Sequence, residues 1–341
     1  MRNDPYKKAG VDIKAGNMLV DKIRKDVTGT FDKNVLTNFG GFSGLYSLPK
    51  GLKDPVLVAC TDGVGTKVAL AQKNSSLKTI GQDLVAMCVN DMVTSGAKPL
   101  FFLDYFASSK LDINETSFVV KGIANACKKS NCSLIGGETA EMPNHYIGNN
   151  FDLAGFAVGV VEKKLIIDCS KVKKGNLIVG IESSGAHSNG YSLINKLIDE
   201  SKLSKLEKEK ITKLALKPTH LYVSVIHDLI EKIKVKSIAN ITGGGLTENI
   251  PRSVPKHLSA EINLDSWKMP KLFKQLQRLG NIETNDMLRI FNCGIGMTLI
   301  IDPKDIKETQ SIIKKHSFKS FVIGKILNES QTNVNFIQCL K

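Results

Sequence analysis

The chain has 341 residues, of which 42% are hydrophobic, and it carries 47 basic against 33 acidic side chains, a formal net charge of +14. A chain of this length usually exceeds one hydrophobic core, so we expect two domains of comparable size. The positive charge raises nucleic acid as a partner, but only five of the basic residues are arginines, the side chain that readers of base edges favour. The lysines alternate with apolar residues at helical spacing, as on solvated helix faces, so we expect no nucleic-acid partner.

The first ten residues, MRNDPYKKAG, lack the apolar stretch of a signal peptide, and no run approaches the roughly 18 apolar residues of a membrane-spanning helix. We therefore expect a cytoplasmic protein without a membrane partner. The seven cysteines form no C-x-x-C pair, and most of them lie in apolar runs. This usage predicts reduced thiols, with neither a disulfide framework nor a structural zinc site.

The first half of the chain alternates apolar runs and turn residues in a way that predicts the element order β-α-β-α-β-β. Strands are expected near 55–60, 99–106, 132–136 and 151–161. Helices are expected near 79–96 and 114–130.

A second alternating set follows the charged, turn-rich segment 171–176. Its strands are expected near 177–182, 237–241, 258–264, 296–302 and 320–327, and its helices near 190–201, 220–235, 269–279 and 304–315. The sequence therefore predicts an α+β or α/β protein of two domains, with an N-terminal domain over 1–168 and a C-terminal α/β domain over 169–341.

A glycine-containing loop follows the first strand, in the segment PVLVACTDGVGTK at 55–67. Asp62 can hold a hard metal ion, and Lys67 can neutralise negative charge. Gly63 and Gly65 let backbone N–H groups approach anionic oxygens, so the loop has the parts of a polyphosphate site. The Walker pattern G-x-x-x-x-G-K-[ST] is absent from the chain, so ATP would need a different architecture. A hairpin turn with an exposed lysine is the alternative.

The predicted helix at 79–97 is largely apolar, yet it contains Asp83, Asn90 and Asp91. An ionised carboxylate on a buried helix is costly unless a cation or a donor meets it. We therefore expect these side chains to point at a metal, a ligand or a partner charge. In the alternative, they follow a solvated stripe of the helix.

Carboxylates also follow the strand predicted at 132–136, where a glycine pair precedes Glu138 and Glu141. Magnesium bound to ATP is usually held by a few carboxylates together with water and phosphate oxygens, and Asp62, Asp91 and Glu138 would suffice. Glu141 has the alternative of capping a helix or pairing with a lysine.

Upstream, the segment NFGGFSGLYSLP at 38–49 contains Gly40, Gly41 and Gly44. Such a glycine density predicts a mobile flap that folds over a nucleotide, with a plain flexible loop as the alternative.

Two loops of the second half, at 182–193 and 241–252, follow strand-like runs and precede helix-like runs. Loops of this kind present backbone N–H groups and a helix N-terminus to an anion. His187 lies in the first loop beside Ser188 and Asn189, where an imidazole can exchange a proton or donate a hydrogen bond to a substrate. Helix capping is the alternative role for Ser188 and Asn189. Two such loops in one domain favour a second phosphate-bearing ligand.

Taken together, eight ordered segments resemble the phosphoribosylformylglycinamidine cyclo-ligase family, also called aminoimidazole ribonucleotide synthetases, of purine biosynthesis. The match spans nearly the whole chain. The segments are AGVDIKAGN (9–17), TDGVGTK (61–67), DLVAMCVND (83–91), PLFFLDY (99–105), GGETAEMP (136–143), SSGAHSNGYSL (183–193), TGGGLTENIPR (242–252) and FNCGIGM (291–297).

The resemblance implies a ligase that uses ATP and Mg²⁺ to close formylglycinamidine ribonucleotide into 5-aminoimidazole ribonucleotide, with ADP and phosphate released. It also implies a cytoplasmic homodimer in which the N-terminal sheets of two copies pair into a barrel. Ser43 stands where the family tends to have another glycine, and Tyr46 is bulkier than expected, so the flap need not move identically.

The resemblance further assigns roles to residues. Asp62, Asp91 and Glu138 would hold the metal. The remaining ATP contacts would come from the loop and its surroundings, namely Gly63, Val64, Gly65, Thr66, Lys67, Asp83, Asn90, Gly40 and Gly41. Contacts to the ribonucleotide would come from Ser188, Asn189, Gly243, Gly244 and Gly245. The catalytic residues would be His187, Lys67 and Asn189.

Related enzymes of the same superfamily remain as alternatives. These are formylglycinamidine ribonucleotide synthetase, thiamine-monophosphate kinase, selenophosphate synthetase and a hydrogenase-maturation protein. GGETAEMP and SSGAHSNGYSL favour the cyclo-ligase over the kinase. A nucleotide-binding scaffold without activity is an alternative of another class, and loss of a key carboxylate or lysine would be its signature.

Overall fold

The computed structural model describes residues 9–328 and 332–338. The chain forms two compact units: unit 1 comprises 1–92 and 98–163, and unit 2 comprises 93–97 and 164–341. The domain ranges expected from the sequence, 1–168 and 169–341, stay a prediction. In the described ranges, no helix is long and apolar enough to cross a membrane.

Unit 1 contains one open four-stranded sheet in the order β1-β4-β2-β3. The pairs of β1 with β4 and β4 with β2 are antiparallel, and the pair of β2 with β3 is parallel. The strands are β1 (Pro55–Gly63), β2 (Lys98–Ser108), β3 (Ser133–Glu141) and β4 (Phe151–Glu162). The helices are α1 (Ile13–Thr28), α2 (Lys67–Lys73), α3 (Ile80–Val93) and α4 (Ile113–Lys129).

Local sequence explains where the longer helices of unit 1 begin. The Asp12 carboxylate accepts the first free backbone N–H groups of α1, and Asp112 does the same for α4. Apolar side chains then recur at helical spacing, and α1 buries Leu19 and Val27. Neither α1 nor α2 was among the elements expected from the sequence.

Two glycines of β4 let helix α3 pack close to the sheet. A Cβ atom on Gly155 would lie 3.1 Å from Cys88 Sγ, and one on Gly159 would collide with Met92 Sδ. Because no side chain larger than hydrogen fits there, α3 lies directly against the strand. The opposite face of this sheet carries exposed apolar side chains, including Leu57 at 60% and Phe156 at 44% exposure.

Unit 2 contains a six-stranded sheet in the order β10-β7-β9-β5-β8-β6, antiparallel throughout except for the β10–β7 pair. The strands are β5 (Leu177–Glu182), β6 (Ser237–Asn240), β7 (Leu258–Asn263), β8 (Ile295–Ile301), β9 (Ser320–Asn328) and β10 (Val334–Ile337). The helices are α5 (Tyr191–Glu200), α6 (Lys205–Ala215), α7 (Val223–Lys232), α8 (Gly245–Asn249), α9 (Lys271–Gly280), α10 (Thr284–Ile290) and α11 (Ile306–Lys315).

Every strand and helix expected from the sequence is present, with bounds shifted by a few residues at most. The two-domain α/β class is therefore confirmed, and pairing of the sheets between two copies stays a prediction. The described cysteines are all free thiols, and Cys339 lies outside the described residues.

Candidate functional site

Two predicted metal ligands come together at the end of β1. The pKa of Asp62 is raised, first by burial and then by the negative charge of Asp91, while the backbone N–H of Gly63, 2.7 Å from Asp62 Oδ1, opposes the shift. Burial, together with the charges of the same two carboxylates, raises the pKa of Cys88, which lies on α3. Asp91 is exposed, so a cation that reaches it from solvent would relieve the repulsion between these two carboxylates.

The loop that follows Asp62 is open at its tip. Val64 is fully buried and its N–H donates to the Leu153 carbonyl at 3.3 Å. Gly65 and Thr66 are exposed, and Gly65 has a φ of +66° with open space on the side where a Cβ atom would lie. The loop therefore has a buried base and an exposed tip that an anionic ligand can approach.

Lys67 does not face this tip. Its Nζ lies 2.8 Å from Asp83 Oδ1, and both side chains are 0% exposed. Burial lowers the pKa of Lys67, while the charge of Asp83 raises it in opposition. Asn90, the third polar residue predicted on α3, is also buried. Lys67 and Asp83 thus form a buried ion pair. A partner charge was one of the expectations for Asp83, but no pattern in the sequence indicated that Lys67 supplies it.

Glu138, the third predicted metal ligand, lies apart from the other two. Asp62 pairs with Gly155, and Gly155 pairs with Asp104, which in turn pairs with Gly137. These four residues lie side by side on the four strands, so three strand spacings, about 14 Å, separate Asp62 from Gly137. Glu138 follows Gly137, so strand alternation places its side chain on the other sheet face. Among the described residues, no three His, Cys, Asp or Glu side chains are grouped to hold a metal ion.

A cavity of about 270 Å³ brings the predicted flap next to β3. Gly40 and Gly41 of the flap line it, as do Glu138 and apolar side chains of α1. The structure therefore unites three of the residues predicted to bind ATP or its metal in one concave surface.

The same cavity contains Asp104, which lies in the PLFFLDY segment but was not among the predicted site residues. Burial raises the pKa of Asp104 to about 7. A Cβ atom on the adjacent Gly137 would collide with Asp104 Oδ1, so this glycine leaves the space that the carboxyl group occupies. An Asp at a strand position was the only signal in the sequence, and burial cannot be read from one residue.

Glu141 has a structural role of the kind offered as its alternative. Its carboxylate accepts the backbone N–H of Asp12 at 2.6 Å and that of Leu111 at 2.8 Å. It therefore ties the segment before α1 to the segment before α4.

In unit 2, His187 lies inside its loop. It is 2% exposed, has a φ of +59°, and its Nε2 accepts the Ser184 N–H at 3.3 Å. An accepting Nε2 requires a neutral ring with its proton on Nδ1. Close by, Ser188 Oγ lies 3.4 Å from Thr219 Oγ1.

The two glycine-containing loops of unit 2 meet at Asn189. A Cβ atom on Gly243 would lie 3.4 Å from Asn189 Oδ1. The Asn189 Nδ2 atom is buried and finds no hydrogen-bond partner in the part of the chain that the structure describes. Gly244 and Gly245 have φ values of +92° and +56°, which favour glycine.

The second loop is held by Asn249, a side chain that was not among the predicted site residues. Asn249 Nδ2 donates to the Gly243 carbonyl at 3.0 Å and to the Gly245 carbonyl at 2.8 Å. The Gly245 N–H donates to the Thr242 carbonyl at 3.0 Å, so the loop is left to offer the N–H groups of Gly243 and Gly244 to a ligand. The predicted substrate residues Ser188, Asn189 and Gly243 to Gly245 are thus brought together.

Two family models match separate parts of the chain. Residues 47–161 match the N-terminal domain of AIR synthase related protein, and residues 173–336 match the C-terminal domain.

Solved structures share the fold at low sequence identity. HypE, a hydrogenase maturation protein solved in complex with ATP, has a TM-score of 0.69 at 13% identity, over 97% of this chain and 94% of that chain. Thiamine-monophosphate kinase from Stenotrophomonas maltophilia has a TM-score of 0.64 at 17% identity, over 93% and 95%. T. maritima PurL, complexed with ADP, has a TM-score of 0.58 at 16% identity, over 98% of this chain and 51% of that chain.

Proposed function

Since the chain belongs to the AIR synthase related protein family, we propose that it converts formylglycinamidine ribonucleotide to 5-aminoimidazole ribonucleotide at the expense of ATP, as a ligase of purine biosynthesis. The motifs GGETAEMP and SSGAHSNGYSL support this substrate over those of the related kinases.

The reaction needs an activated carbon. An amide oxygen is a poor leaving group, so the γ-phosphoryl group of ATP passes to the formyl oxygen and ADP leaves. The neighbouring amidine nitrogen then forms a C–N bond to that carbon, and phosphate leaves with the electrons of the broken C–O bond. The protein must position two phosphorylated ligands and neutralise the charge in transfer.

The observation that carries the proposal is that Asp62, whose pKa the negative charge of Asp91 raises, lies beside the open Gly63–Thr66 loop. Mg²⁺ that arrives with ATP is usually held by one or two carboxylates, and this pair fits that number. When bound, the ion would neutralise the phosphate oxygens that Asp62 and Asp91 themselves repel. The exposed tip at Gly65 and Thr66 would offer backbone N–H groups to the same oxygens.

Lys67 anchors the C-terminal end of the same loop to helix α3 through Asp83. It is the first residue of α2, directly after the loop, and its ammonium group is held by Asp83 at 2.8 Å. We therefore assign Lys67 and Asp83 the role of fixing the loop against α3, with Asn90 in the same buried layer. The contribution of Lys67 to catalysis would be positional.

The ribonucleotide would lie in unit 2. Among the described residues the Nδ2 of Asn189 has no hydrogen-bond partner, so it would offer a donor next to Gly243, and Gly243 and Gly244 would offer their N–H groups to a phosphate. Ser188, bridged to Thr219, would complete this surface.

A homodimer would explain how Glu138 could share a metal site with Asp62, although the two lie far apart in one copy. Asp62 and Glu138 lie on opposite edges and faces of one sheet, so one copy cannot place them on one ion. A second copy docked on the exposed face with Leu57 and Phe156 would bury apolar surface and supply a second set of these residues. We therefore propose that ATP, covered by the Gly40–Gly41 flap, contacts residues of both copies.

The test is an incubation of the purified protein with formylglycinamidine ribonucleotide, ATP and Mg²⁺. We expect ADP and the aminoimidazole, detected by diazo coupling, to form in equal amounts. ADP without aminoimidazole, or no reaction, would overturn the cyclisation. Parallel reactions with thiamine monophosphate would then show whether the protein is a kinase instead.

A further inference from the structure

The loop site of unit 2 contains two histidine rings, and they differ in what they can do. His187 is 2% exposed and its Nε2 already accepts the Ser184 N–H. Protonation of that nitrogen would break the bond and place a charge in a buried position, so both effects oppose it. The ring that the sequence predicted to exchange a proton is therefore poorly suited to do so.

A second ring lies beside it. His220 is half-buried, and its ring centroid is 6.1 Å from that of His187 and 6.0 Å from that of Tyr222. Phe318 packs edge-on against His220 at 5.0 Å and fixes the ring plane. We infer that His220, rather than His187, is the imidazole of this site that exchanges a proton with the bound ligand.

The segment that carries His220 is attached to the predicted substrate loop. Thr219, the preceding residue, has its hydroxyl 3.4 Å from Ser188 Oγ. Ser184 Oγ donates to the Pro218 carbonyl at 2.6 Å. A ligand seated on Ser188 would therefore bind next to the segment that carries His220.

The charges around His220 set its protonation. Burial lowers the pKa of His220, the positive charge of Lys217 adds to this, and the carboxylate of Glu182 opposes both. Glu182 is itself engaged by Lys319, whose Nζ lies 3.7 Å from it. Tyr222 faces the ring as a neutral group, because its hydroxyl donates to the Glu182 carbonyl at 2.7 Å. His187 faces the ring with its Nε2 engaged by the Ser184 N–H. His220 is therefore neutral at pH 7 and able to accept a proton.

The step it serves rests on the proposed function. When the amidine nitrogen forms the new C–N bond, it must lose one proton. That proton passes to His220, and phosphate leaves from the same carbon. A positioned base of this kind typically contributes about 10²- to 10⁴-fold to the rate.

The test uses the whole protein labelled with ¹³C-histidine, in which substitutions assign the ring signals. We expect the His220 signal to titrate below pH 6.5, and the His187 signal to remain that of a ring whose Nε2 accepts a hydrogen bond. A titrating His187 together with a non-titrating His220 would overturn the inference, whether or not the protein shows activity.

Activity provides the second readout. His220→Gln should lower kcat about 100-fold or more and remove the acidic limb of its pH profile, with the KM for ATP unchanged. His257→Gln, an exposed histidine outside the site, is the matched control and should behave as wild type. If His220→Gln keeps the acidic limb, the inference fails. If wild type makes no aminoimidazole, the proposed function fails and the NMR titration alone decides the inference.

Discussion

The ammonium group of Lys67 lies 2.8 Å from the Asp83 carboxylate, and neither side chain has any exposed surface. Removing one partner of a buried ion pair leaves the other charge uncompensated, which costs about 3–5 kcal/mol. We therefore expect Asp83→Asn to lower the free energy of unfolding by about that amount. Circular dichroism in urea is the measurement, because the single tryptophan, Trp267, lies in unit 2.

The matched control for Asp83→Asn is a double variant, Lys67→Met with Asp83→Leu, which replaces both charges by apolar side chains. It should recover most of the lost stability, since well-packed apolar pairs often replace buried ion pairs without loss. An Asp83→Asn protein as stable as wild type would show that the two side chains do not depend on each other.

The stability of the protein should depend on Asp104 between pH 4 and pH 7. The pKa of this buried carboxyl group is raised to about 7 in the fold, against about 3.9 in an unfolded chain. Between these values the folded state holds a proton that the unfolded state has lost, so stability falls as the pH rises. The loss is on the order of 4 kcal/mol once the pH exceeds 7.

Asp104→Asn removes this titration, so its free energy of unfolding should change less between pH 4 and pH 7 than that of wild type. Urea unfolding at several pH values measures the difference. Asp54→Asn, at an exposed position of unit 1, should keep the wild-type slope. Parallel slopes for Asp104→Asn and wild type would contradict the raised pKa.

Asp62→Asn should weaken the use of Mg·ATP while the fold stays intact. One of two paired carboxylates is lost, so we expect at least about a tenfold rise in the Mg²⁺ concentration needed for half-maximal turnover. The measurement is ADP release as a function of Mg²⁺ at fixed ATP. Unchanged turnover at limiting Mg²⁺ would remove Asp62 from the metal site.

Mixing two impaired variants, assayed at limiting Mg²⁺, tests whether two copies share a site. If Asp62 and Glu138 meet across a two-fold axis, dimers formed from Asp62→Asn and Glu138→Gln chains regain one intact site of two. Half of randomly exchanged dimers are mixed, so about a quarter of wild-type activity should return. Activity no higher than that of the two variants alone would place both residues in one copy or exclude Glu138.

Asn189→Ala should raise the KM for the ribonucleotide about 10- to 100-fold, because a hydrogen bond to a charged group is worth about 1.5–3 kcal/mol. The KM for ATP should not change, which makes ATP the internal control. Steady-state kinetics with each substrate varied in turn is the measurement. Equal effects on both KM values would indicate a general disturbance of the loop instead.

Strands β1 to β9 were predictable because apolar and β-branched runs bounded by turn residues mark them locally, whereas the short strand β10 was not among the expected elements. Helix α1 could also have been predicted. Asp12 is a good N-cap residue, and Leu19, Ile23 and Val27 after it are spaced four residues apart. Helix α2, with seven residues, is too short to show a helical period.

The site was predictable as a set of residue types and much less as an arrangement. The loops suggested Asp62 and Asn189, the apolar helix suggested Asp91, and the structure places Asp62 near Asp91 and Asn189 beside Gly243. That Lys67 meets Asp83 depends on how α2 packs against α3, which no local pattern encodes. The same is true of His220, which is near His187 only because two distant loops meet.

Gly155 and Gly159 let α3 lie directly against the sheet, so they also set the distance between the sheet and this helix. The helix carries Asp83, Asn90 and Asp91. A methyl group at either position would push this helix away from the sheet and separate Asp91 from Asp62. In a saturation mutagenesis screen, these two positions should therefore behave like active-site residues, although no ligand touches them. Loss of function in such a screen would therefore identify residues that fix the distance between helix α3 and the sheet, as well as residues that contact a ligand.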